Sequence, residues 1–186
     1  MKYIGLIILV LLVSCNTSQT TDIEKEISNL KTQVDKENYL LNLFEIDQQV
    51  RDSDEEYEIK KRTNFDENST EYLNYLKKAI ATDSLNFEKI KVFVKFHGYP
   101  DIENKNSLSY AAIPTIMLHQ GLDNNSYFFS HLYEAYLDKK LTSEDFSSIL
   151  NRMYSKNFDY RYKIDGTTSI DQNINALMEN LNLKVN

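Results

Sequence analysis

Apolar residues recur along this chain at the spacing of helical faces, and small polar residues fall where such helices would begin and end. Ile23, Ile27, Leu30 and Val34 make one stripe; Tyr39, Leu43, Ile46 and Val50 resume it after a break predicted near Lys36, so one long helix or two open the folded part. Thr21-Asp-Ile-Glu24 reads as a capping box for the first of them. Arg51 to Asn68 is dense in charge and poor in aliphatic residues, which suits a solvated helix end and a loop. Tyr72, Leu73, Leu76, Ala79 and Ile80 predict an amphipathic helix ending near Asp83, where Asp83 or Ser84 caps the next. In that next helix Phe87, Ile90, Val94 and His97 share a face. Gly98 then stands where a positive-φ C-terminal cap belongs, Tyr99 is placed to pack back on Val94, and Pro100 forbids continuation.

Tyr110 to Leu118 is apolar nearly all round, the mark of a helix surrounded by others, with Pro114 either kinking it or marking its first turn. Tyr127, Phe128, Leu132, Ala135 and Tyr136 predict the following helix, capped by Asn124 or Asn125. Thr142-Ser-Glu-Asp145 resembles a capping box, with Leu141 and Phe146 offset as a hydrophobic staple, ahead of Phe146, Ile149, Leu150 and Met153. Ser169-Ile-Asp-Gln172 repeats the box before Ile170, Ile174, Leu177, Met178 and Leu181. Tyr160 to Ile164 is the one stretch with strand character, and no repeat period suggests a solenoid. The expected fold is all-α, an irregular bundle of about six to eight helices.

The first fifteen residues follow a different pattern. Lys2 is a short basic region, Ile4 to Val13 an apolar run, and Leu12-Val13-Ser14-Cys15 has the form of a lipobox ahead of a modifiable thiol. The run falls short of the roughly 20 apolar residues that span a bilayer. It resembles a bacterial lipoprotein signal. That implies cleavage before Cys15, diacylglycerol and a further acyl chain such as palmitate on Cys15, and a membrane-tethered protein of the cell envelope. The expected organisation is signal peptide 1–14, acylated Cys15 and polar tether 15–21, and one helical domain 22–186.

Loss of residues 1–14 moves the balance from 21 basic against 28 acidic residues to 20 against 28, a net charge of −8, which disfavours a nucleic-acid partner and adhesion to anionic lipid through a basic patch. The chain has one cysteine, so with Cys15 acylated the folded part has no disulfide, no thiolate nucleophile and no cysteine metal site. Four scattered glycines exclude GxGxxG and the P-loop, and Gly-x-Ser-x-Gly is absent. No cofactor is expected.

Asp83, Asn86, Ile90 and Phe93 followed by His97-Gly98-Tyr99-Pro100 look like the signature stretch of a bacterial family catalogued as domain of unknown function 6624. Asp47-Gln48 with Arg51 is similar to its Asp-Gln-x-x-Arg motif. His119 resembles its Gln-His step, with Leu118 before it and Gln120 after it here. Where the family pattern closes with Asp-Arg and Gln-x-Tyr-Gly-Thr-Gln, this chain offers Asn151-Arg152 and Ile164-Asp165-Gly166-Thr167-Thr168. The resemblance covers roughly Leu43 to Thr168. It implies a helical fold and a shared polar site, and brings no established activity with it.

His97, His119 and His131 are the only imidazoles, HExxH is missing, and His131, Glu134 and Asp138 share a helical face that solvation explains as well as a metal does, so no metal is expected. His97 has two readings, a packed residue that caps helix carbonyls or a general base with His119 beside Asp47. Asp47 and Arg51 are four apart, the spacing of a local ion pair. Candidate catalytic residues are therefore His97, His119, Asp47 and Arg152, and candidate binding residues Gln48, Arg51, Asn86 and Tyr99. The tyrosines, from Tyr39 to Tyr162, suit half-buried core positions better than a sugar or peptide groove. Two functions remain open: a lipid-anchored binding or scaffolding module for an unknown protein or small-molecule ligand, or a small envelope hydrolase using His119, His97 and Asp47.

The anchor has a direct test. Cys15→Ala should abolish fatty-acid labelling and sedimentation with membranes; a variant that still labels and sediments overturns the lipoprotein reading.

Overall fold

The structure is a computed structural model that describes residues 20–163 and 167–184. The signal-like stretch and Cys15 therefore lie outside the described residues, as does Ile164 of the strand-like segment. Helical turns over 20–28 lead into α1 (Gln33–Gln49), α2 (Ser53–Arg62), α3 (Thr70–His97), α4 (Leu108–His119), α5 (Leu122–Leu137), α6 (Ser143–Phe158) and α7 (Ile170–Asn180). No strand occurs among the described residues, 160–163 included, so the chain is an all-α bundle.

Local chemistry explains most boundaries. The first break comes at 29–32 rather than at Lys36, because Thr32 and Asp35 form a capping box there: Asp35 N–H donates to Thr32 Oγ1, and Thr32 N–H to Asp35 Oδ2 at 2.9 Å. Val34, past that break, leaves the stripe of Ile23 and Ile27 and is 65% exposed. Residues 20 and 21 are already helical, so Thr21 is not the cap of its helix. Ser107, Thr142 and Ser169 cap α4, α6 and α7. At α5 the cap is Gly121, with no side-chain bond, and Asn124 and Asn125 fall inside the first turn.

The larger departure is α3, which runs unbroken through the expected stop at Asp83. No glycine or proline interrupts Thr70 to His97, and Ser84 Oγ donates to the Ile80 carbonyl at 3.0 Å within the helix instead of capping a new one. The first half of α3 also turns the other way. Tyr72 and Tyr75 are buried with Ile59 of α2 in a small separate cluster, while Leu73, Leu76 and Ile80 face outward.

The main core forms around α4, which packs against α1, α3 and α6. Tyr110, Ala112, Ile113, Pro114, Ile116 and Met117 are all buried, as expected of a helix apolar on every side. Pro114 lies well inside it and has no N–H to give the Tyr110 carbonyl. Staple residues Leu141 and Phe146 both join this core, as do Leu132, Leu150 and Leu177. Among the described residues, no helix is long and apolar enough to cross a membrane.

Gly98 closes α3 at φ 70°, ψ −179°, and its N–H returns to the Val94 carbonyl at 2.9 Å. That conformation is essentially confined to glycine. A Cβ there would meet nothing within 4 Å, so substitution is penalised by the backbone and not by a clash. Tyr99 packs back on the core. Gly98→Ala should therefore cost about 1–3 kcal/mol and lower the melting temperature measurably, whereas His97→Ala should cost less. An unchanged midpoint for Gly98→Ala overturns this account of the turn.

Candidate functional site

The last turn of α1 carries a charged side chain into the interior. Asp47 is 0% exposed, and an isolated carboxylate there would be untenable without partners. Arg51, one turn on, supplies two bonds: Nη1 donates to the Asp47 carbonyl at 2.9 Å and to Oδ1 at 3.1 Å. Gln48 Nε2 donates to Oδ2 at 2.9 Å. The other guanidinium nitrogen, Arg51 Nη2, bonds Asp83 Oδ1 in the middle of α3. One arginine thus satisfies a helix-end carbonyl and two carboxylates, and ties α1 to α3.

His119 brings α4 to the same place, with Nε2 3.4 Å from Asp47 Oδ2. The contact is not a hydrogen bond, and Nε2 has no bonded partner among the described residues. The next residue, Gln120, is buried; its Nε2 donates to the Asp83 carbonyl at 3.3 Å and its Oε1 accepts from Asn124 Nδ2 at 3.1 Å. Asp47, Gln48, Arg51, Asp83, His119 and Gln120 form one connected polar cluster where α1, α3 and α4 meet.

The end of α4 receives two further cations, both from α6. Arg152 Nε donates to the Leu118 carbonyl at 3.1 Å and Lys156 Nζ to the His119 carbonyl at 2.6 Å, the favourable placement of positive charge at a helix C-terminus. Burial, and then the charge of Arg152, hold the Lys156 ammonium below the ordinary lysine range, with Asp83 pulling the other way.

His97 is elsewhere. Its Nε2 lies 2.9 Å from the Ile27 carbonyl, which can only accept, so this nitrogen carries the hydrogen. The ring packs edge-on against Phe93, with centroids 5.2 Å apart. His97 therefore caps the end of the helical turns over 20–28 and belongs to the packing. Asn86 is buried three residues beyond Asp83, with Nδ2 unbonded among the described residues. The Tyr99 hydroxyl is also buried without a partner among them, and burial raises it well above the ordinary tyrosine range. His131, Glu134 and Asp138 line a surface cleft beside Gly98 and Tyr99. No group of three or more His, Cys, Asp or Glu side chains among the described residues could hold a metal ion. In the Asp47 cluster the position between the two carboxylates is taken by the Arg51 guanidinium.

Of the sequence candidates, the structure brings Asp47, Gln48, Arg51 and His119 together, and it adds Asp83, Gln120 and Lys156 around them. In the sequence Asp83 reads as a helix terminus. Nothing in the spacing of Gln120 or Lys156 sets them apart.

Neither a protein-family model, nor a curated protein, nor a solved structure matches the chain.

Removing Arg51 leaves Asp47 buried with no full positive partner. Arg51→Ala should destabilise the chain by about 3 kcal/mol, the lower end for breaking a buried pair, since Arg51 is partly exposed. Arg51→Lys should recover only part of the loss, because an ammonium cannot present a planar fork to both carboxylates. Denaturant unfolding measures both; a loss under about 1 kcal/mol for Arg51→Ala overturns the clamp.

Proposed function

We propose that the chain is a lipid-anchored protein of the bacterial envelope, tethered through Cys15, whose helical part is a binding or scaffolding module. The anchor reading is supported by the Leu12 to Cys15 pattern and the polar segment that follows it. The family resemblance around Asp47-Gln48, Arg51 and His97-Gly98-Tyr99-Pro100 adds a bacterial setting and no chemistry.

One observation carries the module reading: the groups a hydrolase would use are committed to holding helices together. Asp47 has no exposed surface, and its two carboxylate oxygens accept from Arg51 and Gln48. His97 is spent on the Ile27 carbonyl. A general base must reach the proton it removes, and a sealed, doubly bonded carboxylate does not. The cluster is a brace that fixes the end of α4 and leaves the adjoining face of α6 free to meet a ligand.

The hydrolase remains the second reading on the strength of His119 alone. Its side chain is 23% exposed, and Nε2 faces Asp47 without a hydrogen bond, the kind of loose pairing that tightens when a substrate arrives. The two readings separate in one assay. The full chain, purified in detergent, is offered p-nitrophenyl acetate and p-nitrophenyl phosphate. The module predicts release no faster for wild type than for His119→Ala. Release that His119→Ala removes, with its circular dichroism unchanged, replaces the module by an enzyme.

A further inference from the structure

Beside the Asp47 cluster, on its α6 side, lies a cleft of about 210 Å³ lined by Leu118, Ser148, Asn151, Arg152, Ser155 and Arg161. We infer that this cleft binds an oxyanion of the phosphate class. The inference rests on the module reading and supplies its ligand chemistry.

The cleft is rich in donors, and no carboxylate among the described residues lines it, in a chain where acids outnumber bases. Arg152 is steered by the bond from its Nε to the Leu118 carbonyl, and neither Nη group has a partner among the described residues. Asn151 accepts the Tyr162 N–H on Oδ1 at 3.1 Å, so its remaining hydrogen-bonding group is the Nδ2 amide, a pure donor. Arg161 has no acidic partner among the described residues, and its position is set by its neighbours. Tyr160 and Tyr162 both pack against Tyr154, with ring centroids 5.5 Å and 5.3 Å away, and the Tyr154 hydroxyl bonds that of Tyr160 at 3.0 Å. Arg161 is held between two pinned tyrosines and contributes to the cleft wall. Lys156, one turn along α6 from Arg152, adds positive charge nearby while its ammonium stays on the His119 carbonyl.

Two guanidinium groups, an amide NH2 and the exposed Ser148 present more N–H and O–H donors than the roughly four acceptor sites of one carboxylate. A tetrahedral oxyanion with three or four oxygens uses them better, and arginine forks match phosphate oxygens in pairs. Because the Arg152, Asn151 and Tyr160–Tyr162 contacts already exist in the free protein, little ordering is lost on binding.

The full chain in detergent should bind inorganic phosphate saturably in calorimetry at constant ionic strength, with acetate at least tenfold weaker and chloride silent. Arg152→Ala should abolish binding, but it also strips a partner from the end of α4. Arg161→Gln is the decisive variant, since it breaks no described bond: it should weaken phosphate at least tenfold with an unchanged melting temperature. A phosphate response no larger than that of chloride, acetate binding as well as phosphate, or an Arg161→Gln affinity equal to wild type overturns the proposal. The source of the phosphate is separable with the full chain in detergent. Displacement of inorganic phosphate by phosphatidylglycerol doped into the micelles identifies a lipid headgroup, and displacement by free glycerol phosphate but not by the doped micelles identifies a soluble phosphate ester. Failure of phosphate to bind leaves the module standing, whereas His119-dependent ester cleavage removes the module and leaves the phosphate result to be read by Arg161→Gln.

Discussion

Burial of the Asp47 carboxylate is the constraint from which the geometry of this bundle follows. A charge with no exposed surface is tolerated only when cation and hydrogen-bond donors surround it, and those donors come from fixed places. Arg51 must curl back one turn, which also satisfies the Asp47 carbonyl near the end of α1, and its second nitrogen must find Asp83 in the middle of α3. Once α1 and α3 are set at that distance, His119 and Gln120 at the end of α4 complete the enclosure. Ion pairs of this kind often contribute little net stability, because desolvation cancels attraction. What they fix is register: a shift of α1 by one residue would carry Arg51 away from Asp83 and Asp47 away from His119.

Much of this fold was legible because helices announce their ends locally. Thr142 and Ser169 bond the N–H groups three residues on, Gly98 takes a conformation other residues avoid, and the all-round apolar Tyr110 to Leu118 became the buried centre. The errors share a cause as well. Asp83-Ser84 has the composition of a cap, yet a helix ends only if stopping is cheaper than continuing, and with neither glycine nor proline nearby α3 continues. Leu73, Leu76 and Ile80 have the spacing of a core face, but spacing says that a stripe exists and not which side of the helix finds a neighbour. Tyr72 and Tyr75 take that side through Ile59, a residue within the charged stretch expected to form a solvated helix end and a loop.

The site was half legible for a different reason. Asp47 and Arg51 lie four apart, so their contact is a property of one helix. His97 and His119 are equivalent on the page: each ends a helix, each follows an apolar stripe. Tertiary structure alone separates them, giving one the Ile27 carbonyl and the other the neighbourhood of Asp47. Asp83 is the plainest case, because its partner stands 32 residues away and no local signal connects them.

The C-terminus of α4 shows how bracing and recognition share side chains. No glycine caps this helix: Gln120 takes an extended backbone, and the exposed carbonyls of Leu118 and His119 are left to Arg152 and Lys156. A glycine cap would have satisfied those carbonyls with backbone N–H groups and brought no charge with it. Using cations instead places positive charge at the negative end of the most buried helix, and the helix in return anchors the stem of each cation. Arg152 needs only Nε for this task, so its other nitrogens remain for the cleft, while Lys156 carries all its donors on one nitrogen, which the His119 carbonyl holds at the helix end. The same structural duty therefore leaves the arginine able to face a ligand and holds the lysine on the backbone, a division that follows from the shapes of the two cations.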